Sequence, residues 1–243
     1  MAASSALACV VSCEHATNQV PAAYRSCFAD PAGQARLASH RGWDAGAADL
    51  ARALAHRLDA PLHLARVSRL VVDANRSPRH PRLHDAPIRA LPAPERARLV
   101  ARYHQPHVEA VAASVADALA TRAEVLHLSV HSFTPVLDGQ VRRVDLGLLY
   151  DPAHGREGAL AARWGASLAR ATGLRVRRNQ PYRGRDDGLT RTLRRRFGPR
   201  YAGIELEVNQ ALLVNERVPA ALRRILGDTL AALLAAPDHA PNA

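Results

Sequence analysis

The sequence predicts an α/β fold, a three-layer α/β/α sandwich built on a mixed, mostly parallel central sheet. Two observations support this prediction. Short apolar runs typical of buried strands alternate with segments whose apolar residues recur at helical spacing, and the alternation continues along all 243 residues. No low-complexity linker or internal repeat interrupts it. We therefore expect a single domain covering residues 1–243.

In the first half of the chain, three strands are predicted at residues 6–11, 62–64 and 70–72. Residues 21–33 are predicted to form a loop with a short helical turn. Apolar residues at helical spacing predict a helix over 44–58, with Asp44 favoured as its N-cap over a role in a site. A longer helix over 94–120 begins with Pro94 in its first turn.

In the second half, four strands are predicted at residues 125–130, 144–150, 174–176 and 204–208. The predicted helices cover residues 157–171, 189–197 and 219–234, and Gly173 is the expected C-cap of the first of them. Residues 179–184 combine Asn, Pro and Gly, which predicts a turn-rich loop.

The charge of the chain is a general feature of its composition. The formal net charge is +11, and all 33 basic residues are arginine. They are spread along the sequence, and the one tight run, 194–196, is more typical of a solvated helix face. Aromatic residues, which stack on bases in nucleic-acid sites, make up only 4% of the chain. We expect no nucleic-acid partner.

Cysteine usage and hydropathy indicate a reduced, cytoplasmic protein. Cys9, Cys13 and Cys27 form no CxxC pair and suggest no disulfide framework. Residues 1–8 lack the charged segment that opens a signal peptide. No apolar run approaches the roughly 18 residues needed to cross a bilayer, so no membrane partner is expected. The oligomeric state is left open.

Polar residues that could bind a metal follow two predicted strands. Glu14 and His15 come directly after the first strand, and His131 follows the apolar run 125–130. Open α/β sheets place ligands at the carboxyl ends of their strands. Strand alternation also directs His127, Ser129 and His131 to one side. For an isolated Glu–His pair, a polar strand end is the commoner interpretation, but these residues together favour a site.

The predicted site has the donors that zinc prefers. Two imidazoles and a carboxylate are a known catalytic zinc set, so His15, Glu14 and His131 are the candidate ligands. Glu205 and Glu207 share one face of the last strand. We predict Glu207 as the base that takes a proton from the metal-activated water and Glu205 as a structural residue paired with an arginine.

Asn75 and Arg76 are the candidate substrate clamp, since a guanidinium can bind a carboxylate through two parallel hydrogen bonds. With 33 arginines in the chain, the competing interpretation is an ordinary surface arginine. A cysteine protease is disfavoured because Cys13 has no base at a recognisable spacing. A serine hydrolase is disfavoured because Ser132 lacks a glycine-flanked nucleophile elbow.

Six motifs, taken in order, resemble the N-formylglutamate amidohydrolase family. Each motif alone is weak, but together they span nearly the whole chain. They are Ser12-Cys13-Glu14-His15, Arg41-Gly42-Trp43-Asp44-Ala45-Gly46, Val72-Asp73-Ala74-Asn75-Arg76-Ser77, Val130-His131-Ser132-Phe133-Thr134-Pro135, Asn179-Gln180-Pro181-Tyr182 and Glu205-Leu206-Glu207-Val208-Asn209-Gln210.

The resemblance implies a zinc-exopeptidase-like fold and a zinc-dependent amidohydrolase related to zinc carboxypeptidases and the aspartoacylase group. His15, His131 and Glu207 match the first histidine, the second histidine and the base. Residues 73–76 resemble the Asp-x-Asn-Arg element that holds the substrate carboxylate. Tyr182, with an arginine of the pocket, would contact the oxyanion or the side-chain carboxylate of the substrate.

The motif departs from the family at the third metal ligand. Asn18 stands where the relatives have a metal-binding Glu, so Glu14, Asn18 and Asp44 remain alternatives. The predicted function is hydrolysis of N-formyl-L-glutamate, a small anionic N-acyl amino acid, with one zinc ion or another divalent metal. The alternatives are a related amidohydrolase acting on another N-acyl amino acid or a peptidoglycan-like amide, and a non-catalytic anion- or nucleic-acid-binding domain.

Overall fold

A mixed β-sheet forms the centre of the protein, described here for residues 7–236 of a computed structural model. The strands are β1 (Ala8–Cys13), β2 (Leu62–Leu64), β3 (Val125–Phe133), β4 (Val136–Leu137), β5 (Gln140–Val141), β6 (Leu146–Leu149), β7 (Val176–Arg178) and β8 (Tyr201–Asn209). Six of them form the main sheet in the order β2-β1-β3-β8-β6-β7, while β4 and β5 form a separate hairpin. Within the main sheet, only β6 and β8 pair antiparallel. The predicted mixed, mostly parallel sheet is confirmed.

Helices cover both faces of this sheet. They are α1 (Pro31–Ala38), α2 (Ala47–Leu58), α3 (Ala86–Arg89), α4 (Ala93–Leu99), α5 (Gln105–Thr121), α6 (Gly155–Thr172), α7 (Leu189–Phe197) and α8 (Ala220–Ala235). Shorter 3₁₀ turns cover Ala22–Phe28, Gly198–Arg200 and Gln210–Leu212. Helices α2, α6 and α8 share a core with one face of the sheet, and α5 and α7 pack on the other. This is the predicted three-layer arrangement.

The long helix predicted over 94–120 is interrupted. A π-helical turn, Val100–His104, separates α4 from α5 and ends just before Pro106. Proline has no backbone N–H, and its ring collides with the carbonyl four residues earlier in a regular α-helix. The wider π turn fits this change in hydrogen bonding.

The two faces of the sheet have different chemistry because side chains alternate along its two longest strands. The even-numbered residues of β3 and β8 are mostly apolar and pack against α2, α6 and α8: Leu126, Leu128, Val130, Ala202, Ile204, Leu206 and Val208. The odd-numbered positions carry His127, Ser129, His131, Glu205 and Glu207, all buried. The alternation predicted for the three β3 residues is confirmed, and it places the polar side chains on the side of α5 and α7.

The predicted strand at 70–72 is wrong. These residues form a turn, and the amide of Val71 bonds to the carbonyl of Ser68. Their side chains fill a separate apolar cluster with Phe28 and Ile88, under the irregular segment between β2 and α3. These residues are apolar because they are buried, as residues of a buried strand would be. Their backbone hydrogen bonds, however, are made within local turns.

Most element boundaries differ from the prediction by one to three residues, and two strands are shifted as a whole. The first strand covers Ala8–Cys13, two residues later than the predicted 6–11, whose first residue lies outside the described part. The strand predicted at 174–176 is Val176–Arg178. The prediction that the chain has no signal peptide concerns residues 1–8. Residues 1–6 of that segment also lie outside the described part. Within residues 7–236, no helix is long and apolar enough to cross a membrane.

Candidate metal centre and active site

Three buried side chains converge at the carboxyl edge of the sheet. His15 follows β1, Asp44 lies in the loop before α2, and His131 lies near the end of β3. The Oδ2 atom of Asp44 is 3.2 Å from Nδ1 of His15 and 2.9 Å from Nδ1 of His131. One donor atom from each residue lies within 4.8 Å of the other two. We call these three residues the His–Asp–His cluster.

The other ring nitrogen of each histidine lies close to a second carboxylate. Nε2 of His15 donates to Oδ1 of Asp73 at 2.8 Å, while Nε2 of His131 lies 3.1 Å from Oε2 of Glu14 and 2.8 Å from Oγ of Ser129. Both Nδ1 atoms therefore face Asp44. In protein metal sites, a carboxylate on the remote nitrogen fixes the ring orientation and the tautomer of a ligating histidine.

The charges of the cluster are strongly coupled. Burial opposes ionisation of Asp44, but His15 and His131 outweigh it and hold the pKa of Asp44 well below its usual range. The pKa of Asp73 is also held low, because the charges of Arg69 and His15 overcome the effect of burial. Burial disfavours the charged form of His131, yet hydrogen bonds to Asp44 and Glu14 raise its pKa well above the ordinary value. The carboxylates are ionised, as metal ligands must be.

Asp44 is a cluster residue and not the predicted helix N-cap. Helix α2 begins at Ala47, its N-cap is Gly46 with φ +75°, and no side chain caps it. Asp44 contributes only its backbone carbonyl to the turn, accepting from the amide of Ala47. Gly42 and Gly46, on either side of Asp44, were a sign in the sequence that this loop is tightly constrained. A Cβ at Gly42 would lie 2.1 Å from the carbonyl oxygen of Leu37, so this loop is held in close backbone contact.

Glu14 and Asn18, the other predicted candidates for the third ligand, lie outside the His–Asp–His cluster. Ser12 and Glu14 point to the α5 side of the sheet by strand alternation, and Glu14 keeps that direction just past the end of β1. Its carboxylate accepts from Ser129 Oγ and lies 3.5 Å from Nε2 of His107. Asn18 is half-buried further along the loop.

Glu207 lies next to the cluster, opposite His131 in the pairing of β3 with β8. It is buried, and its Oε2 atom has no hydrogen-bond partner among the described residues. Burial raises the pKa of Glu207 to about 8, the charge of His131 opposes this rise, and Asp44 adds to it. A buried acceptor of this kind normally has a partner, so the atom is suited to bind a water or a substrate group.

Glu205 has a structural partner, but not the predicted arginine. Its Oε1 atom accepts a hydrogen bond of 2.7 Å from Oγ1 of Thr190 in α7. No arginine lies within ion-pair distance of it among the residues that the structure describes.

The predicted substrate residues line the same cleft. Asn75 accepts a hydrogen bond from the amide of Leu189 at 2.7 Å, and its Nδ2 atom is 3.5 Å from Nε2 of His131. Arg76 donates to the carbonyl of Asp187 at 2.7 Å. These bonds fix the loop 75–77 against the start of α7. Tyr182 is 44% exposed, so it lies at the mouth of the cleft.

Two further residues of the site, Asp73 and Arg69, have roles that the sequence alone does not predict. The guanidinium of Arg69 is 3.2 Å from Asp73 and 3.6 Å from Asp44, so it neutralises the carboxylates beneath the cleft. The four-residue spacing between Arg69 and Asp73 was no signal for their pairing, because residues 69–73 are not helical.

The cleft above the cluster has a volume of about 1120 Å³. The cluster, Glu207, Glu205, Asn75 and Tyr182 all line it. So do eight arginines: Arg41, Arg69, Arg76, Arg82, Arg89, Arg183, Arg185 and Arg191. Its chemistry suits an anionic ligand bound over buried nitrogen and oxygen donors.

A mixed α/β sandwich with a buried His–Asp–His cluster in a cleft at its carboxyl strand edge has the features of an enzyme with a candidate metal centre. The model of the N-formylglutamate amidohydrolase family matches residues 7–214, and the chain belongs to this family. It is thus an amidohydrolase by family, and the resemblance seen in its motifs is confirmed.

Two solved structures share the fold of this chain. Gene product Atu2144 from Agrobacterium tumefaciens is 31% identical, with a TM-score of 0.76 over 93% of this chain and 91% of that one. N-formylglutamate amidohydrolase from Ralstonia eutropha JMP134 is 19% identical, with a TM-score of 0.66 over 95% and 92% of the two chains, and shows the same fold. Curated proteins give no significant match.

A metallo-carboxypeptidase from Burkholderia cenocepacia also aligns, at 14% identity and a TM-score of 0.35, over 94% of this chain and 56% of that one. A score this low supports no conclusion about fold or metal. The predicted likeness to zinc exopeptidases stays a prediction, as does the single domain over 1–243.

Proposed function

We propose that this protein is a zinc-dependent amidohydrolase that cleaves N-formyl-L-glutamate or a closely related N-acyl acidic amino acid. The observation that supports it most directly is the His–Asp–His cluster beside the unpartnered carboxylate of Glu207. Two imidazoles and one carboxylate are a three-ligand set used by catalytic zinc, which keeps its fourth position open.

In this proposal His15, Asp44 and His131 hold the zinc ion. Both histidines would bind through Nδ1, because Asp73 and Glu14 occupy their Nε2 atoms. The metal would act as a Lewis acid on the amide carbonyl and lower the pKa of water to about 7. Other divalent cations that accept nitrogen and oxygen ligands fit the same donors.

The remaining steps are carried out by side chains of the protein. Oε2 of Glu207 accepts a proton from the attacking water and returns it to the nitrogen of the leaving amine. Burial raises the pKa of Glu207 above its ordinary value, which makes its carboxylate a stronger base than that of an exposed glutamate. Asn75 and Arg76 bind a carboxylate of the substrate, and Tyr182 closes the mouth of the cleft.

The partner in this proposal is a small anionic metabolite, since arginines dominate the exposed wall of the cleft. We also propose a cytoplasmic location, which the three free cysteines support. A related N-acyl amino acid remains the second candidate substrate because the cleft volume exceeds the needs of one small molecule.

The first experiment measures hydrolysis of N-formyl-L-glutamate by the zinc-loaded protein, before and after chelation, in the wild type and in Glu207→Gln. We expect chelation to abolish hydrolysis and the substitution to lower it by about 10²–10⁴-fold with zinc content unchanged. The exposed Glu216→Gln variant is the control. Hydrolysis that survives the chelator would remove the metal from the mechanism, and an active Glu207→Gln enzyme would remove the base.

A further inference from the structure

The exposed wall of the cleft carries charge of one sign. Among the exposed charged residues of the described part of the chain that line it, Asp186 is the one acid. The same wall is lined by five exposed arginines: Arg41, Arg82, Arg89, Arg183 and Arg185. The acids deeper in the cleft are already bonded or belong to the metal centre. The exposed wall therefore carries an excess of positive charge that nearby acidic residues do not neutralise.

Most of these arginines have no partner. Within residues 7–236, the side chains of Arg41, Arg82, Arg183 and Arg185 make no hydrogen bond or ion pair, whereas Arg69 and Arg76 below them do. They also come from separate segments: the loop before α2, the segment before α3, and the segment between β7 and α7. A ligand that meets them all must extend across the cleft.

The size of the cleft supports the same conclusion. Sites for drug-sized molecules measure roughly 300–1,000 Å³, and this cleft measures about 1120 Å³. One N-acyl amino acid has a single carboxylate for Asn75 and Arg76 and at most one more for the wall. It leaves most of the volume and most of the arginines unused.

From the cleft volume and its unpaired arginines we propose that the enzyme acts on N-acylated acidic peptides of two or three residues, which carry several carboxylates. This inference rests on the proposed amidohydrolase activity. It places the scissile amide over the metal centre and the additional carboxylates on Arg183, Arg185 and Arg41.

Binding tests this substrate class without depending on catalysis. Titration calorimetry on the purified protein compares glutamate, tri-glutamate and the neutral tri-glutamine. We expect tri-glutamate to bind about tenfold more tightly than glutamate, through several exposed ion pairs. Salt of about 0.5 M should remove the difference, and tri-glutamine should show no gain. Equal affinity for glutamate and tri-glutamate would overturn the proposal.

A matched pair of variants locates the effect. Arg183→Gln/Arg185→Gln should lose most of the preference for tri-glutamate, and Arg170→Gln should keep it, because Arg170 is exposed on α6 away from the cleft. Formyl-glutamate and formyl-tri-glutamate are then compared as substrates. Cleavage of neither would contradict the proposed function. Equal cleavage of both would contradict only the peptide substrate class.

A separate observation concerns Glu14, a fully buried carboxylate on the α5 side of the sheet. Its partners are Nε2 of His131 at 3.1 Å, Oγ of Ser129, and Nε2 of His107 at 3.5 Å. Every one of these groups can donate a hydrogen bond, so the carboxylate is fully engaged and too enclosed to reach the cleft.

From this geometry we infer that Glu14 is a positioning residue, which orients His131 so that Nδ1 faces the metal. The inference rests on the proposed metal centre. Loss of such a partner typically weakens metal binding by 10–100-fold. We expect Glu14→Ala to bind zinc 10–100-fold more weakly in competition with a chromogenic chelator, and Glu14→Gln, which keeps one oxygen acceptor, to lose less.

The control is Glu157→Gln, which changes another fully buried carboxylate, one that lies in α6 and is bonded to Arg194. It should weaken folding and leave zinc affinity unchanged. Unfolding curves for all variants separate the two effects. A folded Glu14→Ala protein with wild-type zinc affinity would overturn the inference. Failure of the wild type to take up one zinc would instead count against the metal centre.

Discussion

His127 is a fully buried histidine on the polar face of β3, four residues before His131. Its Nε2 atom is 2.7 Å from Oγ of Ser12, and its Nδ1 atom is 2.6 Å from the hydroxyl of Tyr201. Burial lowers the pKa of His127 from 6.5 to about 4, because the charged ring cannot be solvated there. The neutral ring links β1, β3 and β8 through these two bonds.

This histidine should make folding sensitive to acid. Its folded pKa lies below the unfolded value, so its stabilising effect is complete above about pH 6.5 and is lost as pH falls toward 4. We expect the wild type to lose about 2 kcal/mol more unfolding free energy than His127→Gln between pH 7 and pH 5. Urea unfolding at both pH values measures this. Equal losses in the two proteins would refute it.

Individual site residues differed in how well the sequence predicted them. His15 and His131 were predictable because each follows an apolar run, and Glu207 because it shares one face of the last predicted strand with Glu205. The sequence favours Asp44 as a helix cap, since an aspartate before a helical pattern usually is one. Its role depends on where the loop before α2 passes relative to β3. No local pattern encodes that distance.

At the level of elements, a buried ion pair joins two helices on opposite sides of the sheet. Arg194 of α7 donates to Glu157 of α6 through Nε at 2.8 Å and Nη2 at 2.9 Å. Glu157 also accepts from the backbone amides of Gly203 and Asp151. Four donors on one carboxylate tie α6, α7 and the start of β8 together.

Breaking this pair should be costly because it leaves a buried charge without its partner. We expect Arg194→Leu to lower the unfolding free energy by about 3–5 kcal/mol. Arg196→Leu is the matched control on the same helix, since Arg196 pairs with Glu109 at an exposed position and should change stability by less than about 1 kcal/mol. Similar values for the two variants in denaturant unfolding would show that burial of the pair is unimportant.

Elements were predicted best where periodicity and end signals agreed. Helix α7 was predicted with its observed bounds, and Gly173 is the left-handed cap of α6 as expected. Residues 70–72 had only apolar character, which burial in a turn produces as readily as burial in a strand. The pairing order of the sheet was beyond the sequence, because strand neighbours are set by contacts between distant segments.

Across the whole molecule, the proposed zinc ligands connect distant parts of the chain. His15, Asp44 and His131 come from β1, the loop before α2 and β3, which are far apart in the unfolded state. A metal that binds only the folded arrangement stabilises the protein by mass action, by about 2.7 kcal/mol at a hundredfold excess over the dissociation constant.

Zinc should therefore raise the melting temperature of the protein. For a chain of this size we expect a rise of about 5–10 °C at such an excess, reversed by chelation. Asn18→Ala should behave like the wild type, because Asn18 lies outside the His–Asp–His cluster. Asp44→Asn should show little response in calorimetry. A full response in Asp44→Asn would exclude Asp44 as a ligand.

The alternation along β3 and β8 means that one pair of strands encodes both the core and the chemistry, at positions one residue apart. Substitutions in the carboxyl halves of these strands should thus sort into two phenotypes with a period of two. Changes at Leu128, Val130, Ile204 and Leu206 would reduce how much folded protein a cell accumulates, and changes at His131 and Glu207 would reduce what each folded molecule can do. A single-residue deletion in β3 would exchange the two sets, and neither the core nor the site would survive.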